Sequence, residues 1–277
     1  MPRLLTTLAF GPPLYALGLG SGLVNRFVRR YAEYKPAAYP AHDIDESVRH
    51  VRDICNRWQA ALDRLAPGES FAGKRVLELG PGHSLGTGMV LLARGAKAYT
   101  AVDVFPLVYR SPASLYEALA AAENCPVDLA REASFQIVEF PTLEPLAGSF
   151  DVVVSNSTLE HIEDIPGTFR ALRRRICQFM VHHVDASVHL RVRAIDPLNH
   201  LRYSDRVYRW MYYKGVPNRL LCRDYRRAAS EAGFRENQFA PKSVASPEYL
   251  ELVRPKLAPA FRARDDLHLL SFTLFAR

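Results

Sequence analysis

The stretch Val76-Leu77-Glu78-Leu79-Gly80-Pro81-Gly82-His83-Ser84-Leu85-Gly86 decides how this chain is read. An apolar run of strand type, Lys74 to Leu79, enters a tight glycine turn. Helix-forming residues follow from Thr87 to Arg94, closed by Gly95. Glycines at 80 and 82 remove side chains where a ligand has to reach backbone. The start of the following helix offers N–H groups to a carboxylate. Asp103, 21 residues after Gly82, ends the next strand, where its carboxylate can accept ribose hydroxyls. A glycine loop alone is an ordinary strand-to-helix turn. Loop, strand, helix and distal acid together specify a nucleotide site.

The kind of nucleotide follows from what surrounds the glycines. A dinucleotide fingerprint needs a third glycine where Leu85 stands, and the Lys-Ser/Thr pair of a phosphate loop is missing. Glu78, two residues before the first glycine, suits a cofactor with a positively charged amino group. S-adenosylmethionine (SAM) has that group, a carboxylate and a ribose, and it has no phosphate.

Outward from the loop, strands and helices alternate. Asp45 to Leu65 reads as an amphipathic helix, with Val48, Val51, Ile54, Cys55, Trp58, Leu62 and Leu65 at helical spacing, ended by Pro67-Gly68. Later strands are read at Ala98–Val102, Phe135–Phe140, Phe150–Ser155 and Gln178–Val184, and helices at Leu115–Glu123 and Ile165–Arg175. This alternation implies βαβ units and a parallel sheet. Asp185 to Leu221 is aromatic and basic and reads as helical insertion and lid material. A helix at Arg223–Ala232, stopped by Gly233, precedes two final strands, Phe234–Phe239 and Leu267–Phe275, expected to pair antiparallel. The chain is therefore read as one domain: an N-terminal apolar segment and helix (1–70), a nucleotide-binding core (71–185), an insertion (186–233) and terminal strands (234–277).

The loop resembles motif I of class I SAM-dependent methyltransferases, an acid followed by G-x-G-x-G, with Ser84 at the third glycine. Phe150 to Ile162 (FDVVVSNSTLEHI) resembles the fourth-strand segment of the type 11/12 group, which includes bacterial sugar and natural-product O-methyltransferases. The resemblance covers about residues 71–185 and, more weakly, the terminal strands. It implies an α/β, doubly wound, mostly parallel seven-stranded sheet, the Rossmann-like methyltransferase fold, with helical N-terminal and lid additions. It also implies cofactor contacts at Glu78, Gly80, Pro81, Gly82, Ser84, Asp103 and Val104, at Glu139-Phe140 for the adenine, and at Ser155 and Asn156.

In doubly wound sheets ligands bind beyond the carboxyl ends of the strands. Ser155, Asn156, Glu160 and His161 follow the fourth strand, and His182, His183, Asp185 and His189 surround the end of the fifth. A hydroxyl acceptor needs a general base, and histidine suits one near neutral pH. By resemblance the base maps to His161, assisted by Asp185; His183 and His189 stand next in line as bases. An alternative is that His161 merely packs the turn. A second alternative for the His/Asp segment is an Mg²⁺ site, with Asp185 and Asp196 as carboxylates. The block Tyr203, Tyr208, Trp210, Tyr212 and Tyr213, with Arg202 and Arg209, reads either as a stacking surface for sugars, a cover for an apolar acceptor, or core. Ser204 or Asp205 can cap a helix beginning there.

Composition narrows the partners. The 277 residues carry a net charge of +7 with pI near 9.3, which suits an anionic partner or a solvated basic surface. Only six of the 36 basic residues are Lys, and no long basic block is present. No nucleic-acid partner is expected: an Asn/Asp-Pro-Pro-Tyr/Phe motif and a Pro-Cys nucleophile are both missing. Four scattered cysteines suggest reduced thiols and a cytoplasmic protein. Leu4 to Val24 is apolar with arginines after it, but Pro12-Pro13 is expected to break any helix there, which argues against a signal peptide or anchor. Peripheral membrane contact through this segment is a further option. The acceptor is read as a saccharide or saccharide-bearing molecule, alternatively a small apolar phenol, quinone or polyketide. A non-catalytic SAM-binding protein is the remaining alternative.

Overall fold

The computed structural model describes residues 11–31, 43–213 and 215–277. They fall into two compact units, a larger one (Ala37–Val184, Arg226–Ala240, Thr273–Arg277) and a smaller one (Met1–Pro36, Asp185–Tyr225, Pro241–Phe272).

The first helix, α1, runs from Pro12 to Tyr31. The expectation that Pro12-Pro13 interrupts a helix is corrected: the prolines open it. At the first turn their missing N–H costs nothing and their fixed φ is already helical. Leu4 to Phe10, the first part of the apolar stretch, lies outside the described residues. Helix α2 spans Ile44–Leu65, capped by Asp43, whose carboxylate accepts from the Glu46 N–H at 2.9 Å. Its buried stripe contains the seven residues read from the sequence, plus Ala61.

The core continues as β1 (Arg75–Leu79), α3 (Gly86–Ala93), β2 (Ala98–Asp103), α4 (Ala113–Glu123), β3 (Ser134–Ile137), β4 (Phe150–Asn156), α5 (Ile165–Arg173) and β5 (Ile176–Asp185). Then come α6 (Asp205–Trp210), α7 (Cys222–Glu231), β6 (Asn237–Val244), α8 (Pro247–Val253), α9 (Pro259–Arg262) and β7 (Leu269–Ala276). The seven strands form one sheet in the order β3-β2-β1-β4-β5-β7-β6. β1, β2, β3, β4 and β5 pair in parallel. β6 and β7 are antiparallel: Glu236 and Arg277 exchange backbone hydrogen bonds at 3.0 Å, and the Ala245 N–H donates to the His268 carbonyl at 2.8 Å. The order reverses between β1 and β4, which makes that gap the topological switch point where such sheets bind ligands.

Three expectations shift. The third strand ends at Ile137, so Glu139 and Phe140 sit in the turn beyond it, with Glu139 bridged to Glu144. The sixth strand begins at Asn237 rather than Phe234. The insertion is mostly short 3-10 turns, Arg191–Ala194 and Asn199–Arg202, with one six-residue helix, α6, capped by Ser204. Its prolines and its local hydrogen bonds favour turns over a long helix.

In the larger unit, Val76, Val152, Val154, Phe179 and Val181 of the sheet pack with α2, α3 and α4 in one core. Burial of this kind stabilises by roughly 1.5–3 kcal/mol per large apolar side chain. Trp58 is fully buried and its indole N–H donates to the Ser155 carbonyl at 3.1 Å, which ties α2 to the end of β4.

Candidate cofactor and acceptor sites

The turn after β1 has the geometry its glycines imply. Gly80 has φ +67° and Gly82 φ +72°, a left-handed backbone that glycine adopts without a Cβ penalty. The two differ in surroundings. A Cβ on Gly80 would overlap Thr158, whose hydroxyl donates to the Gly80 carbonyl at 3.4 Å. A Cβ on Gly82 would meet nothing within 4 Å. Gly80 thus fits the loop against the exit of β4, and Gly82 leaves backbone open to a ligand. Pro81, between them, is half-buried.

The helix start beyond the loop is partly satisfied from within. The Leu85 N–H donates to the Tyr116 hydroxyl at 3.1 Å, and the Gly86 N–H donates to the Ser84 hydroxyl at 3.3 Å. Serine at the third glycine position therefore supplies a cap that glycine would lack. Asp103 ends β2 with its carboxylate partly buried and accepting from the Phe105 N–H at 3.2 Å. Burial pushes its pKa up, while hydrogen bonds from the Phe105 and Val104 amides oppose the shift.

Glu78 lies deeper than the sequence suggested. It is 2% exposed, and its Oε2 accepts from both the Thr87 and Tyr99 hydroxyls at 2.5 Å. Burial raises its pKa to about 7, against the pull of those two hydroxyls. Gly88 makes the arrangement possible, since a Cβ there would overlap the Tyr99 ring. The sheet register carried a signal for Tyr99. Glu78 pairs with Ala101, so Tyr99, two residues earlier, shares its face.

At the end of β4, the Asn156 side chain accepts from Arg57 at 2.7 Å. Ser155 is fully buried, its hydroxyl 2.8 Å from His182 Nδ1. His182 is also fully buried, stacked on Phe169, and burial holds its pKa down at about 3, so it stays neutral. His183 is 3% exposed, with Nδ1 3.5 Å from the Thr273 hydroxyl. His161 is half-buried and ends the 3-10 turn Leu159–His161, its N–H donating to the Thr158 carbonyl at 2.9 Å. Among the histidines read near β4 and β5 in this unit, His161 has the greatest access to solvent. Glu139 is exposed and Phe140 half-buried.

In the smaller unit, Asp185 Oδ1 accepts from the Ser187 hydroxyl at 2.5 Å and Oδ2 from Arg193 at 2.5 Å, with His189 3.8 Å away. These partners hold its pKa below the usual carboxylate range although burial opposes them. Asp196 is fully buried in an ion pair with Arg202 at 2.8 Å and also accepts from Tyr249 and Asn199. The two carboxylates of the Mg²⁺ reading are thus neutralised by arginines, which fill the charge role a cation would take. A cleft of about 540 Å³ is lined by Asp185, Ser187, Arg193, Ala194, Pro197, Ser243, Leu270 and Ser271.

The aromatic block divides. Tyr203 is fully buried, with its hydroxyl on Tyr15 O and Asn199, and Tyr208 donates to Pro217 O beneath the Arg219 guanidinium. The space that Tyr203, Tyr208 and Tyr213 surround is about 20 Å³, room for one water molecule. Tyr203 is core, whereas Tyr208 and Tyr213 are half-buried. Trp210 and Tyr212 are exposed.

A family model described as a methyltransferase domain matches residues 48–237. No curated protein matches this sequence. Several solved structures align with this chain. A candidate O-methyltransferase of Nostoc punctiforme aligns over 98% of this chain and 71% of its own, at 13% identity and TM-score 0.50. An S-adenosylmethionine-dependent methyltransferase of Mesorhizobium loti aligns over 85% and 100%, at 17% identity and TM-score 0.48. A phosphoethanolamine N-methyltransferase of Haemonchus contortus, solved with S-adenosyl-L-methionine, aligns over 91% and 58%, at 14% identity and TM-score 0.48.

Proposed function

Because the chain belongs to the methyltransferase-domain family, a SAM-dependent one, we propose that it methylates a hydroxyl of a carbohydrate, glycolipid or glycosylated natural product. The observation that carries the acceptor class is the cleft of about 540 Å³. Its volume suits a small-molecule ligand. It offers a carboxylate, a guanidinium and three serine hydroxyls, donors and acceptors suited to a polyhydroxylated molecule. The space lined by Tyr203, Tyr208 and Tyr213 is about 20 Å³, too small for a phenol or quinone.

In this reading the loop Gly80-Pro81-Gly82 and Ser84 hold the cofactor's amino-acid end and Asp103 its ribose. Glu78 supports the loop from beneath, through Thr87 and Tyr99. Val104, Glu139, Phe140, Ser155 and Asn156 complete the cofactor side. SAM supplies a methyl group on a sulfonium, an electrophile that carries its own leaving group. The protein's share is alignment and one proton. His161 accepts the hydroxyl proton as the acceptor oxygen gains the methyl group, with His183 the next candidate base. Asp185 serves as an acceptor-side carboxylate, fixed by Ser187 and Arg193.

The test is an acceptor screen with methyl-labelled SAM, spanning saccharides, glycosylated products and phenols, with the product identified by mass spectrometry. Label on a sugar hydroxyl is the expected result. Label only on phenols transfers the assignment to an apolar acceptor, and SAM binding without transfer to any acceptor leaves a binding protein.

A further inference from the structure

We propose that the outer face of α1, with Trp210 and Tyr212, is a docking surface for an anionic lipid bilayer. The inference is independent of the acceptor reading. Helix α1 has two unlike sides. Leu14, buried, packs with Val188 and Val192, while Gly18 lies against Asn199 and Tyr203 and Gly22 against Met211. Positions 14, 18 and 22 form the i, i+4 row that faces its own unit. The opposite arc carries Leu17, Val24, Phe27 and Val28, which are 57%, 61%, 67% and 52% exposed. Soluble surfaces scatter single apolar residues, but a contiguous apolar stripe along a helix marks an interaction site.

The chemistry of the rim selects the partner. α1 contains no acidic residue, and its last turns bring Arg26. The Arg26 guanidinium donates to the Trp210 carbonyl, which brings the exposed Trp210 beside the basic end of the helix. Arg206 and Arg209 belong to the same short helix, α6. Apolar stripe, arginine rim and exposed Trp and Tyr are the composition of a helix lying in a membrane interface, its rings at headgroup level and its arginines on lipid phosphates. Among the described residues no helix is long and apolar enough to cross a membrane, so contact through α1 is peripheral. A water-exposed protein partner would pair these apolar side chains equally well but would not account for the basic rim with aromatic residues beside it.

The test is flotation of the full chain with vesicles of phosphatidylcholine alone and with 30% phosphatidylglycerol added, at low and high salt. Binding is expected on the anionic vesicles and is expected to weaken with salt. Trp58 is fully buried, so a blue shift of tryptophan emission on binding reports Trp210. Leu17→Glu with Val24→Glu should lower vesicle affinity by roughly 100-fold, about tenfold for each side chain withdrawn from lipid. Both residues are exposed, so melting temperature and SAM binding should stay unchanged. Absent vesicle binding, or binding that the double variant retains, overturns the proposal. A concentration-dependent dimer abolished by the same variant assigns the face to a second copy of the chain instead.

Discussion

The Tyr99 hydroxyl donates to the Glu78 carboxylate at 2.5 Å inside the sheet, one strand away from the glycine loop, and Thr87 donates to the same oxygen. This triad accounts for the burial of an acid two residues before the loop. It fixes the end of β1 to the first turn of α3, so the turn between them has little freedom to relax.

Glu78 makes stability fall with rising pH. Its folded pKa, about 7, lies above the ordinary 4.5, so between these values the folded state binds the proton more tightly than the unfolded state. Stability from this group is present below about 4.5, is lost as pH rises to about 7, and is flat beyond. Chemical denaturation at several pH values should show wild type losing up to about 3 kcal/mol relative to Glu78→Gln across this window. A difference that stays constant with pH contradicts the raised pKa.

Gly88 is held to glycine by space rather than by backbone angle. Gly88→Ala pushes a methyl group into the Tyr99 ring and should cost about 1–3 kcal/mol, an overpacking penalty. Gly82→Ala meets open space, so beyond its left-handed strain its main effect should be on cofactor binding. Thermal melts and SAM titration, run on both variants, separate the two roles.

Asp103 is the acid expected at the ribose. Asp103→Ala removes a charge-assisted contact and should weaken SAM roughly 10–100-fold by isothermal titration, with the melting temperature of the unliganded protein little changed. NAD binding in place of SAM would refute the cofactor assignment.

His161→Ala should lower kcat roughly 10²–10⁴-fold on the active acceptor while the SAM Kd stays the same. Asp185→Asn should act mainly on acceptor KM, since Arg193 and Ser187 already hold the carboxylate in the cleft. Near-normal kcat in His161→Ala moves the base to another residue, His183 being the first to examine.

The sequence by itself determined what depends on neighbours along the chain. Strand, glycine turn and helix from Val76 to Ala93 were legible because left-handed glycines, apolar runs and caps act within a few residues. The same holds for α2 and its buried stripe, and for Ser204 as a cap. The tertiary structure decided what depends on partners brought from afar. Register places Tyr99 on the face of Glu78. Packing buries Ser155 and His182 in the sheet and draws Tyr203, out of the aromatic block, into the core. Arg193 and Arg202 claim the two carboxylates that otherwise read as metal ligands. Pro12 belongs between these cases: its chemistry forbids a helix interior and favours a helix start, and only the fold shows which applies. A residue type fixes what a side chain can do, whereas burial and the nearest opposite charge, set by the whole chain, fix what it does.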